Sequence, residues 1–120
     1  GAGFRLGVVT NDSESAARAH LSQAGVAEAF DAVIGYDSGW GAKPEPGQIL
    51  GFCDQWGLAP DTVVMVGDSL HDLHAARAAG TRGVAVLTGV AGHDTLAPAA
   101  EIVLPDIGHL PDWLNLAPLR

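Results

Sequence analysis

Two aspartates four residues apart follow an apolar run in the stretch VVMVGDSLHD, Val63 to Asp72. Carboxylate oxygens are the ligands that Mg²⁺ prefers in proteins, so Asp68 and Asp72 are candidate metal ligands. Ser69 and Asp72 are also spaced as a capping pair for a following helix, which explains the same residues without a metal. The stretch by itself leaves both interpretations open.

Two further polar groups have the chemistry to join such a site. Thr10 and Asn11 follow the first apolar run of the chain, and Lys43 lies in the glycine-rich connection GYDSGWGAKPEPG. Taken singly, Thr10 and Asn11 are also residues that start helices, and a lone lysine is usually solvated. Taken together, a hydroxyl, an amide, an ammonium and a carboxylate pair suit phosphoryl transfer, where positioning and charge neutralisation dominate. The set still lacks a nucleophile.

The elements that must position these residues alternate along the chain. The hydrophobic patterns predict strands at 4–9, 32–35, 62–66, 83–87 and 101–104, and helices at 11–24, 48–56, 70–79, 94–99 and 110–114. This alternation predicts an α/β fold with a parallel sheet. Because ligands bind outside the carboxyl ends of parallel strands, the three polar groups are expected to converge on one crevice.

Two local patterns carry more specific predictions. The run Thr62 to Val66 is continuously apolar or β-branched, which predicts a strand buried on both faces. Asn11 with Glu14 is expected to cap the first helix.

Composition limits the possible partners and setting. The 120 residues are 48% hydrophobic and 17% charged, which is typical of one globular domain, and their formal net charge is -8. A charge of that sign disfavours nucleic acid and anionic membranes, so we expect neither as a partner. The one cysteine, Cys53, lies in an apolar pattern and is expected to be a buried thiol in a reducing, cytoplasmic protein.

Three motifs in order resemble a known family. VVTND (8–12), GAKPEP (41–46) and VGDSLHDLHAARAAG (66–80) are similar to motifs two, three and four of the haloacid dehalogenase (HAD) superfamily. The resemblance is to its phosphoglycolate phosphatase-like and β-phosphoglucomutase-like branch. It implies a parallel-sheet, Rossmann-like core and a Mg²⁺-dependent phosphatase that acts on a small phosphorylated metabolite.

The resemblance also implies a role for each motif residue. Thr10 would bind the transferring phosphoryl group and Asn11 would help to orient it. Lys43 would neutralise charge between the nucleophile and the phosphate, and Asp68 would ligate Mg²⁺. Asp72 would support the metal directly, through water, or by holding the lysine.

The chain departs from the family at motif one. No DxDx(T/V) string, which supplies the family's nucleophilic aspartate, occurs in residues 1–120. Its strand would lie between strands 4–9 and 62–66. We therefore expect 1–120 to be the C-terminal portion of a single HAD-like core domain, lacking the first, central strand and the cap domain. The sheet would be completed by an N-terminal part of the same protein or by a partner chain, and this chain alone would be inactive.

Other functions remain open at this point. A HAD-like binding or assembly module without its nucleophile would explain why motif one is not found in these residues. A phosphomutase of the same family is compatible with the same motifs. A response-regulator receiver uses similar residues, but in the order acid pair, aspartate, threonine, lysine, which differs from the order here.

Overall fold

Parallel strands alternate with helices through residues 5–116, the part of the chain that the computed structural model describes. The elements are β1 (Gly7–Val9), α1 (Glu14–Gln23), β2 (Ala32–Ile34), α2 (Gly47–Trp56), β3 (Val64–Gly67), α3 (Leu70–Ala79), β4 (Arg82–Val86), α4 (His93–Leu96), β5 (Ile102–Leu104) and α5 (Leu110–Leu116). The predicted α/β alternation is confirmed. Phe4, predicted as the first residue of the first strand, lies outside the described residues.

The strands form two separate parallel sheets. β1 pairs with β2 in the register Val8 to Val33, and β4 lies between β3 and β5, with Val84 opposite Val66. β4 is covered on both sides, and Val84 and Ala85 have no exposed surface. Helix α2 packs its Cys53 against α3 and its Phe52 against β2, so it joins the two sheets through apolar contacts.

Helix ends follow local side-chain and backbone chemistry. Ser69 caps α3 by accepting from the Asp72 N–H, as predicted, and Gly57 and Gly80 end α2 and α3 with positive φ angles of 63° and 81°. The predicted cap of α1 is wrong, because Ser13 rather than Asn11 accepts from the Ala16 N–H. The side chain of Asn11 is engaged elsewhere, as described below.

A gap separates β1 from β3. It is a cavity of about 620 Å³ lined by backbone and side chains of 6–9 and 63–66, with Phe52 of α2 and Leu110 of α5. The Thr10 N–H donates to the Ile34 carbonyl of β2, and the Arg82 N–H of β4 donates to the Val63 carbonyl. Because the backbone groups of successive strand residues point to opposite sides, those of the neighbouring residues Val9 and Val64 point into the gap. Within residues 5–116, the prediction that the sheet lacks a central strand at this place is confirmed.

The gap also explains one wrong prediction. The strand at 62–66 was expected to be buried on both faces, but Val64, Met65 and Val66 are only half-buried because the β1 side of β3 is open. No helix in the described range 5–116 is long and apolar enough to cross a membrane.

Candidate active site

Thr10 begins the polar edge where the strands end. It follows β1, its N–H donates to the Ile34 carbonyl at 2.9 Å, and its Oγ1 accepts from the Asp12 N–H at 3.1 Å. A hydroxyl that already accepts a backbone N–H keeps its own proton for another acceptor. Thr10 can therefore donate to an anion at this edge.

The Asn11 side chain connects the end of β1 to the loop before α2 by two hydrogen bonds. Its Oδ1 accepts from the Lys43 N–H at 2.8 Å and its Nδ2 donates to the Lys43 carbonyl at 3.0 Å. The side chain therefore holds the backbone of Lys43, and each end of its amide keeps one further hydrogen-bonding position. This contact brings two predicted site residues together that are 32 positions apart.

The Lys43 side chain connects the end of β1 to the first turn of α3. It thus spans the gap at the carboxyl ends of β1 and β3, which we call the mouth of the gap. Its Nζ donates to the Val9 carbonyl at 3.1 Å and to Asp72 Oδ1 at 2.5 Å, and its side chain is only 12% exposed. A buried ammonium needs a paired charge and several acceptors, and these contacts supply both. The ion pair places the carboxyl ends of β1 and β3 at the same edge of the molecule.

Both carboxylate oxygens of Asp72 are occupied by protein donors. Oδ1 binds Lys43, while Oδ2 accepts from the Asp68 N–H and from the Ser69 hydroxyl, each at 3.1 Å. Gly67 lies directly behind this carboxylate, and a Cβ there would come within 2.2 Å of the Asp72 Cβ. Of the three roles that the resemblance left open for Asp72, holding the lysine is the one with visible contacts.

Asp68 differs from its neighbour in having a free carboxylate. No group in the described residues donates a hydrogen bond to its side chain, which is half-buried at the end of β3. The loop after β4 lies against it, because a Cβ on Gly89 would sit 2.7 Å from Asp68 Oδ2. A free carboxylate beside a paired one is suited to bind a cation.

The donor set fits Mg²⁺ with few protein ligands. Within the described part of the chain, no group of three or more His, Cys, Asp or Glu side chains is placed to hold a metal ion. Mg²⁺ commonly keeps several waters and is held by one or two carboxylates together with substrate phosphate oxygens. Asp68 can supply one such carboxylate at this edge.

Sequence reasoning missed one residue of this region. Gln48, in the first turn of α2, has no exposed surface, and its Nε2 donates to the Thr10 carbonyl at 2.7 Å. Its Oε1 has no hydrogen-bond partner in the described structure. The available signal was a polar residue that directly precedes the apolar residues of ILGFC.

The fold and the site together define a Rossmann-like α/β protein with a polar site at the carboxyl ends of its strands. A model of the haloacid dehalogenase-like hydrolase family matches residues 1–86, and the chain belongs to that family. This confirms the resemblance seen in the three motifs.

Individual relatives agree. A phosphoglycolate phosphatase from Rhodospirillum rubrum is 38% identical over 113 residues, which are 94% of this chain and 47% of that protein. A predicted phosphoglycolate phosphatase from Haemophilus somnus superposes with a TM-score of 0.87 at 27% identity, over 94% of this chain and 51% of that one. For a HAD phosphatase from Thermococcus onnurineus the TM-score is 0.81 and the identity 32%, over 93% and 51%. The chain thus spans about half the length of the relatives it matches.

Proposed function

We propose that this chain is the phosphate- and metal-binding part of a Mg²⁺-dependent phosphomonoester hydrolase. The observation that carries the proposal is a series of contacts at this edge: Lys43 Nζ binds the carbonyl of Val9, next to Thr10, and binds Asp72, whose other oxygen accepts from the Asp68 N–H. A phosphoryl group needs such donors and positive charge around its oxygens.

Each residue has a distinct part in this proposal. Thr10 donates its hydroxyl proton to a phosphoryl oxygen, and Lys43 places positive charge beside it. Asp72 and Asn11 hold Lys43, the first by its ammonium and the second by its backbone. Asp68 would hold Mg²⁺, which when bound neutralises charge on the phosphate.

The nucleophile is proposed to come from a strand that fills the gap. The Val9 N–H and the backbone groups of Val64 face this apolar space, while the Val9 carbonyl accepts from Lys43, so one further strand can pair there. An aspartate at the end of that strand would attack phosphorus and form an aspartyl-phosphate, while the ester P–O bond breaks and a second acid of that strand protonates the leaving alcohol; water then hydrolyses the aspartyl-phosphate to aspartate and inorganic phosphate. The strand would be supplied by an N-terminal part of the same protein or by a partner chain.

The substrate is proposed to be a small phosphorylated metabolite such as phosphoglycolate. The support is the name of the Rhodospirillum rubrum relative, a phosphoglycolate phosphatase. We propose a cytoplasmic setting, because Cys53 is 4% exposed and burial raises the pKa of its thiol, as expected for an unreactive, reduced cysteine.

A non-catalytic module is the second candidate. Its support is that residues 1–120 contain no DxDx(T/V) string and that the gap can accept a strand of another chain. This candidate predicts sheet completion without phosphate release.

The test uses the complete product of the encoding reading frame, assayed for Mg²⁺-dependent release of inorganic phosphate from phosphoglycolate. Asp68→Asn is expected to lower this activity at least about 100-fold, because it removes a charged metal ligand. Mg²⁺ binding, measured by titration calorimetry, should weaken in parallel. Asp54→Asn, an exposed position on α2, is the matched control and should change neither quantity.

Two outcomes would contradict the proposal. Full activity of Asp68→Asn would remove this residue from the metal site. A complete product that binds a strand in the gap but releases no phosphate from any small phosphomonoester would favour the module.

A further inference from the structure

Among the residues whose burial the structure describes, 5–114, Gln48 is the one fully buried polar side chain near the site that the proposed mechanism does not use. It has no exposed surface, yet only one end of its amide is hydrogen-bonded, to the Thr10 carbonyl. Burying an amide oxygen without a partner is unfavourable, and an apolar side chain of similar volume would avoid that loss. A residue that is unfavourable for stability at a core position points to a function.

The peptide that Gln48 holds explains what this function can be. The bond from Nε2 fixes the carbonyl of Thr10, and this carbonyl shares a peptide plane with the N–H of Asn11. In a planar trans peptide the C=O and N–H point in opposite directions. Because the carbonyl is turned towards α2, the Asn11 N–H is turned away from it, and it has no hydrogen-bond partner within residues 5–116.

We propose that Gln48 is a positioning residue of the phosphate site. By holding the Thr10 carbonyl, it aims the Asn11 N–H and the Thr10 hydroxyl at the same anion. This inference rests on the proposed function, since it assigns a role in binding the phosphoryl group. To the residues of the three motifs it adds Gln48, which orients the peptide between Thr10 and Asn11.

The position of Gln48 supports a role in this local geometry. It follows the loop that contains Lys43, and that loop is tied to Asn11 by two hydrogen bonds. The loop before α2 and the first turn of α2 therefore hold two successive residues at the end of β1: Lys43 binds Asn11, and Gln48 binds Thr10. Without the hydrogen bond from Gln48, the peptide between Thr10 and Asn11 would be free to rotate.

The test compares Gln48→Met with Gln55→Met in the complete product of the reading frame. Gln55 lies on the same helix but is exposed, so it is a matched control. Gln48→Met is expected to leave the melting temperature nearly unchanged, because loss of the unpaired buried oxygen offsets loss of the hydrogen bond to the Thr10 carbonyl. It should lower kcat/KM and the affinity for orthovanadate about 10- to 100-fold, as expected for a misplaced phosphoryl-binding group. The Asn11 amide resonance should respond to inorganic phosphate in the parent and in Gln55→Met, but less in Gln48→Met.

Each other outcome has a defined meaning. If Gln48→Met and Gln48→Leu both fail to fold, Gln48 is structural and the proposal is overturned. If Gln48→Met is stable and binds orthovanadate as tightly as the parent, the proposal is also overturned, while the proposed function stands. If the folded parent binds neither orthovanadate nor inorganic phosphate, the proposed function fails and this inference fails with it.

Discussion

The two halves of the molecule are held together in different ways. In the three-stranded half (β3 to β5 with α3 and α4), the interior strand β4 is sealed and α3 buries four apolar residues, Leu73, Ala75, Ala76 and Ala79. In the two-stranded half (β1, β2 and α1), Ala17 is the one buried residue of α1, and β1 is partly exposed along the gap. The first half has a hydrophobic core of its own, whereas the second relies on α2 and on polar contacts.

Because of the gap, only a few contacts join the two halves, and the candidate site residues are divided between them. The Lys43–Asp72 ion pair joins the halves across the mouth of the gap, and α2 joins them behind it. A sheet divided in this way leaves Thr10, which we propose binds phosphate, on one half and the free carboxylate of Asp68 on the other. The strand that fills the gap would therefore set both the distance between them and the stability of the two-stranded half.

Amide hydrogen exchange should separate the halves most clearly. The N–H of Ala85 is in a strand with neighbours on both sides, whereas that of Val9 faces the gap. Since local opening energies range from near zero to the global value, Val9 is expected to exchange at least about a thousandfold faster than Ala85 in the 120-residue chain. Two-dimensional NMR after transfer to deuterated buffer measures both rates.

The same measurement on the complete product of the reading frame sharpens the comparison. A strand in the gap should slow exchange at Val9 and Val64 towards the rate of Ala85, while the N–H of Val84, already paired with β3, serves as the internal control. Equal exchange rates for Val9 and Ala85 in the 120-residue chain would contradict the inference that the two halves differ in local stability. Unchanged rates at Val9 and Val64 in the complete product would contradict a strand in the gap.

Removal of the ion pair between the halves is the next largest effect. Asp72→Asn leaves the buried Lys43 ammonium without its counter-charge, and breaking such a pair typically costs about 3 kcal/mol. Activity should fall as well, because Lys43 loses the contact that holds its Nζ. Urea unfolding measures the first effect and phosphate release the second.

A double-mutant cycle with Lys43→Met tests whether the pair is the cause. The double variant should be more stable than the sum of the single changes implies, with a coupling of about 1–3 kcal/mol. Asp68→Asn is the control for stability, since no group in the described residues pairs with its carboxylate. Additive effects of the two single variants would mean that the pair does not connect the halves energetically.

Much of the fold was predictable because periodicity and glycine placement are local signals. The helix at 70–79 was predicted with its observed ends, since Ser69 and Gly80 mark them. The wrong cap of α1 has a tertiary cause: Asn11 is used by the loop at Lys43, which no spacing within the helix reveals. The half-exposure of β3 also has a non-local cause, because an apolar run reports what a strand would bury in a complete sheet.

The positions of the candidate site residues were predictable, but their hydrogen bonds were not. Thr10, Asn11, Lys43, Asp68 and Asp72 all lie at the carboxyl edge, as the motif order implied. Asp72 is paired and Asp68 is free because the Lys43 ammonium lies against Asp72. This contact joins residues 29 positions apart, so no local pattern reveals it. Gln48 was not predicted because a single polar residue before the apolar residues of ILGFC is a weak signal until its burial is known.

The smallest predicted effect concerns the polar contacts that hold α1 in the two-stranded half. Glu14 accepts from Arg18 Nε at 3.0 Å and from the Ser38 hydroxyl at 2.9 Å, and these hydrogen bonds, that of Arg18 first, lower the pKa of its carboxyl below the ordinary value of 4.5. A lowered pKa in the folded state means that the carboxylate stabilises the fold above pH 4.5 and that this contribution is lost as the pH falls further. Glu14→Gln should therefore have a slightly lower melting temperature than the parent at neutral pH, and the difference should vanish on the acidic side of 4.5.

Glu28→Gln, at an exposed position, is the control and should show no such pH dependence. A constant difference at all pH values would mean that the hydrogen bonds of Glu14, rather than its charge, hold α1 in place.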